Sequence, residues 1–226
     1  YERQIRLFHD LIGFQKLGVA YENSSDGRIY AAIDDIRKVS QERGFEVFEC
    51  FTVNTTPDIN KANASVNKCY QELAEKVDAL YITNQTGVNE ENMPKLLAPL
   101  LEQKIPTFSQ PGLRMVRLGA LMSISQSQFK HVGVFHAQAA GKIFNGAQAG
   151  DLQMIFEDPS KLLLNLETAN MIGYTPSVEV LVAADKVFKT IAQPNTPKEF
   201  PVSPRTNTVV LLQAICSTLK STYLSP

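Results

Sequence analysis

Three short stretches of the chain carry side chains suited to gripping a small polar molecule: Glu22-Asn23-Ser24-Ser25-Asp26-Gly27, Asn84-Gln85-Thr86-Gly87 and Gln110-Pro111-Gly112. Each follows directly on an apolar run, and each is rich in amides and hydroxyls and poor in formal charge. Such groups donate and accept hydrogen bonds in fixed directions, which suits a small polar ligand better than a phosphate or a metal ion. Glu22 differs from its neighbours. A carboxylate directly after the first apolar run could meet a ligand amine or could cap the next helix, and the sequence leaves both open.

Other kinds of chemistry find no support. Dinucleotide binding needs G-x-G-x-x-G between a first strand and helix, and the turn at that place holds one glycine, Gly27. Neither G-x-x-x-x-G-K-[ST] nor G-x-S-x-G occurs, which removes the phosphate loop and the nucleophile elbow. His9, His131 and His136 include no i, i+4 pair for a helix-borne metal, and the latter two read as packed or solvated positions on a long helix. Cys50 and Cys69 have no local histidine to act as base, so both read as small core residues. With Cys216 they form neither an even-numbered framework nor C-x-x-C, so neither a disulfide scaffold nor a cysteine-based zinc site is expected. Glu90-Glu91 and Asp34-Asp35 are neighbours that do not face each other on a helix and read as solvated charges. Asn23, Asn54, Asn63 and Asn84 each open an N-x-[ST] triplet, a pattern that an Asn- and Ser-rich chain produces by chance, and two of them sit in the suspected ligand cleft. The residues therefore favour a binding domain that is not an enzyme and uses no cofactor or metal.

The elements that must hold those loops alternate along the first 126 residues as strand and helix, the pattern of a parallel sheet covered by helices. Glu2 to Ile12 has helical spacing and stops at Gly13. Lys16 to Tyr21 is a first strand. Asp26 then stands as N-cap of a helix to Gly44 with Ile29, Ile33, Ile36 and Val39 as its apolar stripe. Glu46 to Val53, Val77 to Thr83, Ile105 to Ser109 and Gly119 to Ser125 are four further strands. Between them, Thr56-Pro57-Asp58 turns into a helix with Ile59, Val66, Leu73 and Ala74 inward, and Glu90 to Gln103 is a helix in which Pro94 and Pro99 force a late start or a kink. Right-handed crossovers put the polar loops together at the carboxyl edge of the sheet. Beyond Ser125 a long helix over Gln128 to Phe144 precedes a short strand at Leu152 to Phe156, Leu162 to Asn165 and a helical pair ending near Ile191. Pro194, Pro197, Pro201 and Pro204 then mark a linker.

Composition agrees with a folded domain. Of 226 residues 44% are hydrophobic and 20% charged, with a formal charge of −1, which argues against both disorder and a nucleic-acid footprint. No apolar run approaches the ~20 residues of a membrane span. The chain opens Tyr1-Glu2-Arg3, without Met or a leader-like segment, as a processed protein or an excised piece would.

KLGVAYENSSDGRIYAAIDDIRKVSQERGFEV, then VDALYITNQT, then KIPTFSQPGLRMVRLGALMSIS, in that order, resemble the substrate-binding proteins of bacterial ABC transporters of the tryptophan/tyrosine type. The later pieces AQAAGKIFNG and LLLNLETANMIGYTPSVEVLVAADKVF strengthen the likeness. In the second of these, Asn165, Leu166, Ala169, Gly173, Pro176, Leu181, Ala184, Asp185 and Val187 fall at the spacing of that family's closing signature. The resemblance covers about Tyr1 to Ile191.

The resemblance implies an α/β fold of the periplasmic-binding-protein type I kind, a parallel sheet flanked by helices, with the first lobe largely absent from this chain. It divides the chain into a ligand-binding lobe over 1–126, a crossover helix and strand over 127–160 that would pack on the other lobe, a return segment over 161–192, and a Pro-rich linker with an unassigned tail over 193–226. The family's ligand contacts fall on Asn23, Ser24 and Ser25, on Asn84, Gln85 and Thr86, on Gln110, and on the strand end from Ser123 to Ser125, with Glu22 added from its place after the first strand. These would offer hydroxyl, amide and helix N-terminal groups to an amino acid's carboxylate and amine. Asn84 and Gln110 stand where many relatives carry Asp, which removes partners for a ligand ammonium and admits a neutral or differently charged ligand. Implied partners are a small-molecule ligand and an ABC permease, with no nucleic acid. Implied location is periplasmic or extracellular, membrane-anchored in the full-length protein. The crossover helix would expose Phe135, Ile143 and Phe144, which predicts self-association or another partner there. A ligand-sensing input domain of a signalling protein, or a flavodoxin-like α/β enzyme, are the alternative readings.

Overall fold

The computed structural model describes residues 1–125, 129–152, 155 and 161–194. A seven-stranded sheet forms its centre in the order β2-β1-β3-β4-β5-β6-β7. The strands are β1 (Lys16–Tyr21), β2 (Glu46–Phe51), β3 (Ala79–Ile82), β4 (Thr107–Ser109), β5 (Met122–Ser125), β6 (Lys161–Asn165) and β7 (Ala184–Phe188). Pairing is parallel from β2 through β5, antiparallel between β5 and β6, and parallel again between β6 and β7. The helices are α1 (Glu2–Ile12), α2 (Ser25–Ala31), α3 (Ile33–Arg43), α4 (Ile59–Ala74), α5 (Met93–Glu102), α6 (Leu113–Arg117), α7 (Phe129–Phe144), α8 (Leu166–Ile172) and α9 (Val178–Ala183).

Strand side chains alternate between two cores, as a period of two requires. Leu17, Val19, Tyr21, Tyr81 and Phe108 join Ile5 and Phe8 of α1 and Ile33, Ile36 and Val39 of α3 on one face. Ala20, Leu80 and Ile82 join Val66, Tyr70 and Leu73 of α4 and Leu96, Leu97 and Leu100 of α5 on the other. Burial on both faces explains why the central strands read as short continuous apolar runs. The positions of α1 and β1 coincide with the expected spans, and α5 begins late, with Pro94 in its first turn.

Four expectations are corrected. Asp26 is not the N-cap of the second helix: Ser24 is, and its Oγ accepts the Gly27 N–H at 3.0 Å. That helix is two helices, broken at Ala32, which adopts φ 54° and donates its N–H to the carbonyls of Arg28 and Ile29. Alanine gives no local signal for a left-handed stop, and the break turns Ile29 out of the apolar stripe to 70% exposure. Ile59, at the first position of α4, is likewise 45% exposed. Third, Cys50 and Cys69 form a disulfide joining β2 to α4, with Cα atoms 5.6 Å apart. Sequence spacing gave no hint of it because the crossover, not the 19-residue separation, brings the two together. Fourth, the last helical pair is α8 and α9 only, since Ala184–Phe188 pairs with β6 as a strand.

On α7, Val134, Ile143 and Phe144 are exposed, Phe144 to 90%, while Phe135 is half-buried. The expected strand at 152–156, Gln128, Cys216 and the tail from 195 onward lie wholly or mostly outside the described residues. Among the described residues no helix is long and apolar enough to cross a membrane, and no three His, Cys, Asp or Glu side chains are grouped to hold a metal ion.

Candidate functional site

The chain rises along β1 and leaves its carboxyl end toward α2 and α3, whose core side chains lie on one face of the sheet. The neighbouring β3 leaves toward α5 on the other face. This is a topological switch point, where diverging connections open a crevice at the carboxyl edge. The polar stretches 22–27, 84–87 and 110–112 meet there, joined by a fourth, 52–58, which continues β2.

Several of the expected contact residues are already engaged with neighbouring segments of the chain. The Glu22 carboxylate accepts the N–H of Asn54 at 2.9 Å and of Thr55 at 2.8 Å, both on Oε1, and the Thr55 hydroxyl at 2.6 Å on Oε2. Ser24 Oγ donates to it at 3.2 Å. Glu22 thus neither caps α2 nor stands open to a ligand; it holds the 52–58 loop. Hydrogen bonds from Thr55, then its own partial burial working the other way, leave its pKa at about 2. Gln85 is spent similarly. Its Nε2 donates to the Ala20 carbonyl at 2.9 Å and to Thr83 Oγ1 at 3.0 Å, while its Oε1 accepts the Thr52 hydroxyl at 2.7 Å, so one side chain stitches the ends of β1, β2 and β3.

Gln110 is buried, and its amide links the loop after β3 to α2: Oε1 accepts the Asn84 N–H at 2.7 Å and Nε2 donates to the Tyr30 carbonyl at 2.7 Å. Ser123 is fully buried within the sheet, its hydroxyl donating to the Ser109 carbonyl at 2.5 Å. Ser125 ends β5 opposite Lys161. Asn23, Ser25, Asn84 and Thr86 keep exposed side chains, although the Thr86 N–H donates to Asn54 Oδ1 at 2.6 Å. The structure therefore brings nine of the ten residues other than Ser123 to the carboxyl edge, and within that group separates loop-holding residues from residues facing outward.

Sequence reasoning missed the residues that fix this edge. Thr52, Asn54 and Thr55 supply the partners just named. An amide ladder secures the loop after β3: Asn67 Nδ2 donates to Asn92 Oδ1 at 3.1 Å, Asn92 Nδ2 to the Gly87 carbonyl at 2.8 Å, and Asn89 Nδ2 to Asn63 Oδ1 at 2.8 Å. A side chain at Gly87 would come within 2.7 Å of the Ala62 carbonyl, so glycine lets this loop lie on α4. The i, i+4 spacing of Asn63 and Asn67 and the crowding of N-x-[ST] triplets were the available signals. Beneath the edge, Tyr21 donates to Glu49 at 2.5 Å and Arg37 grips the same carboxylate with Nε and Nη2. Burial and the Glu49 charge push the Tyr21 hydroxyl up to about 12.

Because the Glu22 pKa lies below its ordinary 4.5, the carboxylate contributes stability that is complete above about pH 4.5 and is lost as the pH falls toward 2. The shift sets an upper limit of roughly 3 kcal/mol, which solvent screening at a partly exposed site brings to about 1–2 kcal/mol. Glu22→Gln should cost that much at pH 7 and show a shallower loss of stability than the native chain between pH 4.5 and 2. Urea titrations at several pH values test this, and parallel curves would show that Glu22 does not hold the loop.

The fold and its converging loops define an α/β lobe of the periplasmic-binding-protein kind. Residues 1–188 match the family of ABC transporter substrate binding proteins, and the chain belongs to that family. Among solved structures it is similar to the ligand-free, open form of a substrate-binding protein with adhesive properties from Clostridium difficile, with 22% identity and a TM-score of 0.66 over 84% of this chain and 60% of that one. It is also similar to a conserved domain protein from Vibrio cholerae, with 21% identity and a TM-score of 0.61 over 82% and 59%. A third is an ABC domain in complex with L-Trp from Streptococcus pneumonia, with 20% identity and a TM-score of 0.58 over 83% and 60%. The chain spans about 60% of the length of these proteins. Among curated proteins, none matches it. The family is non-catalytic in general and is usually extracytoplasmic.

Proposed function

We propose that this chain is the ligand-binding part of an extracytoplasmic solute-binding protein that delivers an amino acid to an ABC permease. It grips the ligand by hinge closure of this lobe on another and alters none of its bonds. The observation that supports this reading most is the meeting of polar loops rich in amides and hydroxyls at the switch point of a chain whose residues 1–188 match the family. In this reading Asn23, Ser25, Asn84 and Thr86 offer their exposed side chains to the ligand's carboxylate and amine, and Ser125 borders the same edge. Glu22, Ser24, Gln85 and Gln110 set the positions of those groups. Ser123 supports from within the sheet. The exposed apolar side chains of α7 are the surface on which the second lobe packs. The Cys50–Cys69 disulfide supports an oxidising location, the periplasm or the cell surface.

The chain contains no Trp, so added L-tryptophan is the only indole in solution. Its fluorescence anisotropy, excited where tyrosine is dark, should rise and saturate with protein concentration. A panel of amino acids followed by thermal melts extends the test to ligands without fluorescence, since any ligand that binds only the folded state raises its melting temperature. A chain that is folded by circular dichroism, yet neither binds L-tryptophan nor is stabilised by any amino acid, would overturn the reading.

A further inference from the structure

We infer that Cys50 Sγ is the site at which a small external thiol opens the Cys50–Cys69 disulfide, and that the Glu72 carboxylate selects among such thiols, favouring cationic ones and repelling anionic ones. Cys50 is half-buried near the end of β2, whereas Cys69 on α4 is 3% exposed, so Cys50 carries the accessible sulfur. Thiol–disulfide exchange proceeds by attack of a thiolate on one sulfur of the bridge. Attack here forms a bond from the incoming sulfur to Cys50 Sγ, breaks the bond to Cys69 Sγ, and leaves Cys69 as a thiolate that takes up a proton. The Phe51 carbonyl oxygen lies 3.5 Å from Cys69 Sγ, so the thiol that results has an acceptor where it stands. A second thiolate then displaces Cys50 from the mixed disulfide, leaving both cysteines reduced and the two external thiols joined to each other.

Glu72 follows Cys69 by about one turn of α4, and its Oε2 lies 3.9 Å from Cys50 Sγ. A thiolate reaching that sulfur must carry negative charge toward the carboxylate. Two unit charges about 4 Å apart in water differ enough in energy to change a rate about fivefold. Lys68 Nζ stands 3.7 Å from Glu72 Oε1 and offsets part of the carboxylate's field. The bridge closes a ring over residues 50–69, and that ring supplies much of what secures the crevice loops. Thr52 donates to Gln85, Asn54 Oδ1 accepts the Thr86 N–H, and Asn63 Oδ1 accepts from Asn89. Opening the bridge at Cys50 therefore releases a ring that clasps the loop after β3.

The test uses the full chain with Cys216→Ser, so that mixed disulfides form only at Cys50 or Cys69. Three thiols differing at one end are compared at one pH and low salt: cysteamine, 2-mercaptoethanol and 2-mercaptoethanesulfonate. Samples are quenched with acid, the rates are read by mass spectrometry and expressed per thiolate, and the first mixed disulfide is mapped to its cysteine. Cysteamine should react about fivefold faster than 2-mercaptoethanol and the sulfonate about fivefold slower, with the adduct on Cys50. Glu72→Gln should bring the three rates within about twofold of one another, and Lys68→Gln should spread them further. Salt at 1 M, where the screening length falls to about 3 Å, should compress the spread with Glu72 in place. An adduct on Cys69 overturns the site. Equal rates for the three thiols, or a spread that survives Glu72→Gln, overturns the role of Glu72; should that variant not fold, a spread that survives 1 M salt does the same.

Discussion

Removing the disulfide, by Cys50→Ser together with Cys69→Ser, is expected to lower stability by about 3 kcal/mol, the loop-closure contribution of a cross-link spanning 19 residues. For a domain of this size that corresponds to a fall of roughly 6–12 °C in melting temperature. The loss should be concentrated at one edge of the molecule. Strand β2 is an edge strand, paired with β1 alone among the described residues, and Phe51 at its end is exposed. The segment that follows carries Thr52, Asn54 and Thr55, the partners of Gln85, Thr86 and Glu22. Loosening β2 from α4 therefore loosens a wall of the candidate site as well. Hydrogen exchange should quicken first at the amides of Asn54 and Thr55 and remain slow along β3 in the centre of the sheet. A reductant added to the native protein should reproduce the melt of the double variant. Coincident melts of native and variant under oxidising conditions would show that the cross-link contributes nothing.

Gly27→Ala is expected to be nearly as costly although it adds a single methyl group. A Cβ at position 27 would stand 2.1 Å from the Glu22 carbonyl oxygen, and that neighbour is backbone held at the end of β1, which cannot swing aside. The helix must shift instead, at about 2–3 kcal/mol for overpacking of this kind. Its displacement should also break the bond from Gln110 to the Tyr30 carbonyl and the Ser24 cap. Gly133, on exposed α7 with open space around it, provides the contrast: Gly133→Ala should be neutral or stabilising by up to about 1 kcal/mol through helix propensity alone. Urea unfolding of the two variants measures the difference. Equal midpoints would mean that α2 is not seated against Glu22.

Elements whose signals are short in range were legible from the residues. The amphipathic spacing of α1, the strand at Lys16–Tyr21 and the helical run into α7 follow from periodicity and from Gly13 as a stop. Those alternations, in chain order, suffice for a mostly parallel sheet with its polar loops at one edge. Features that depend on which distant residue arrives were not legible. The break at Ala32, where the backbone turns left-handed between α2 and α3, has no local cause in an alanine. The strand at Ala184–Phe188 exists because β6 offers it a partner; the same residues read alone as the end of a helix.

The candidate site divides along the same line. Residue types and loop positions were enough to name Asn23, Ser24, Ser25, Asn84, Gln85, Thr86 and Gln110 as edge residues. Whether each faces a ligand or a neighbouring loop depended on partners dozens of residues away. Glu22 meets Asn54 and Thr55, Gln85 meets Thr52 and Ala20, and Gln110 meets Tyr30. The pairing of Cys50 with Cys69 depended in the same way on β2 lying against α4. By itself the sequence determined the fold class and the edge at which function gathers, because hydrophobic period and turn chemistry act within a few residues. The tertiary structure alone decided which polar groups hold the loops, which stand free, and where the disulfide closes, because hydrogen bonds and cross-links are satisfied in space and sheet order sets who is near.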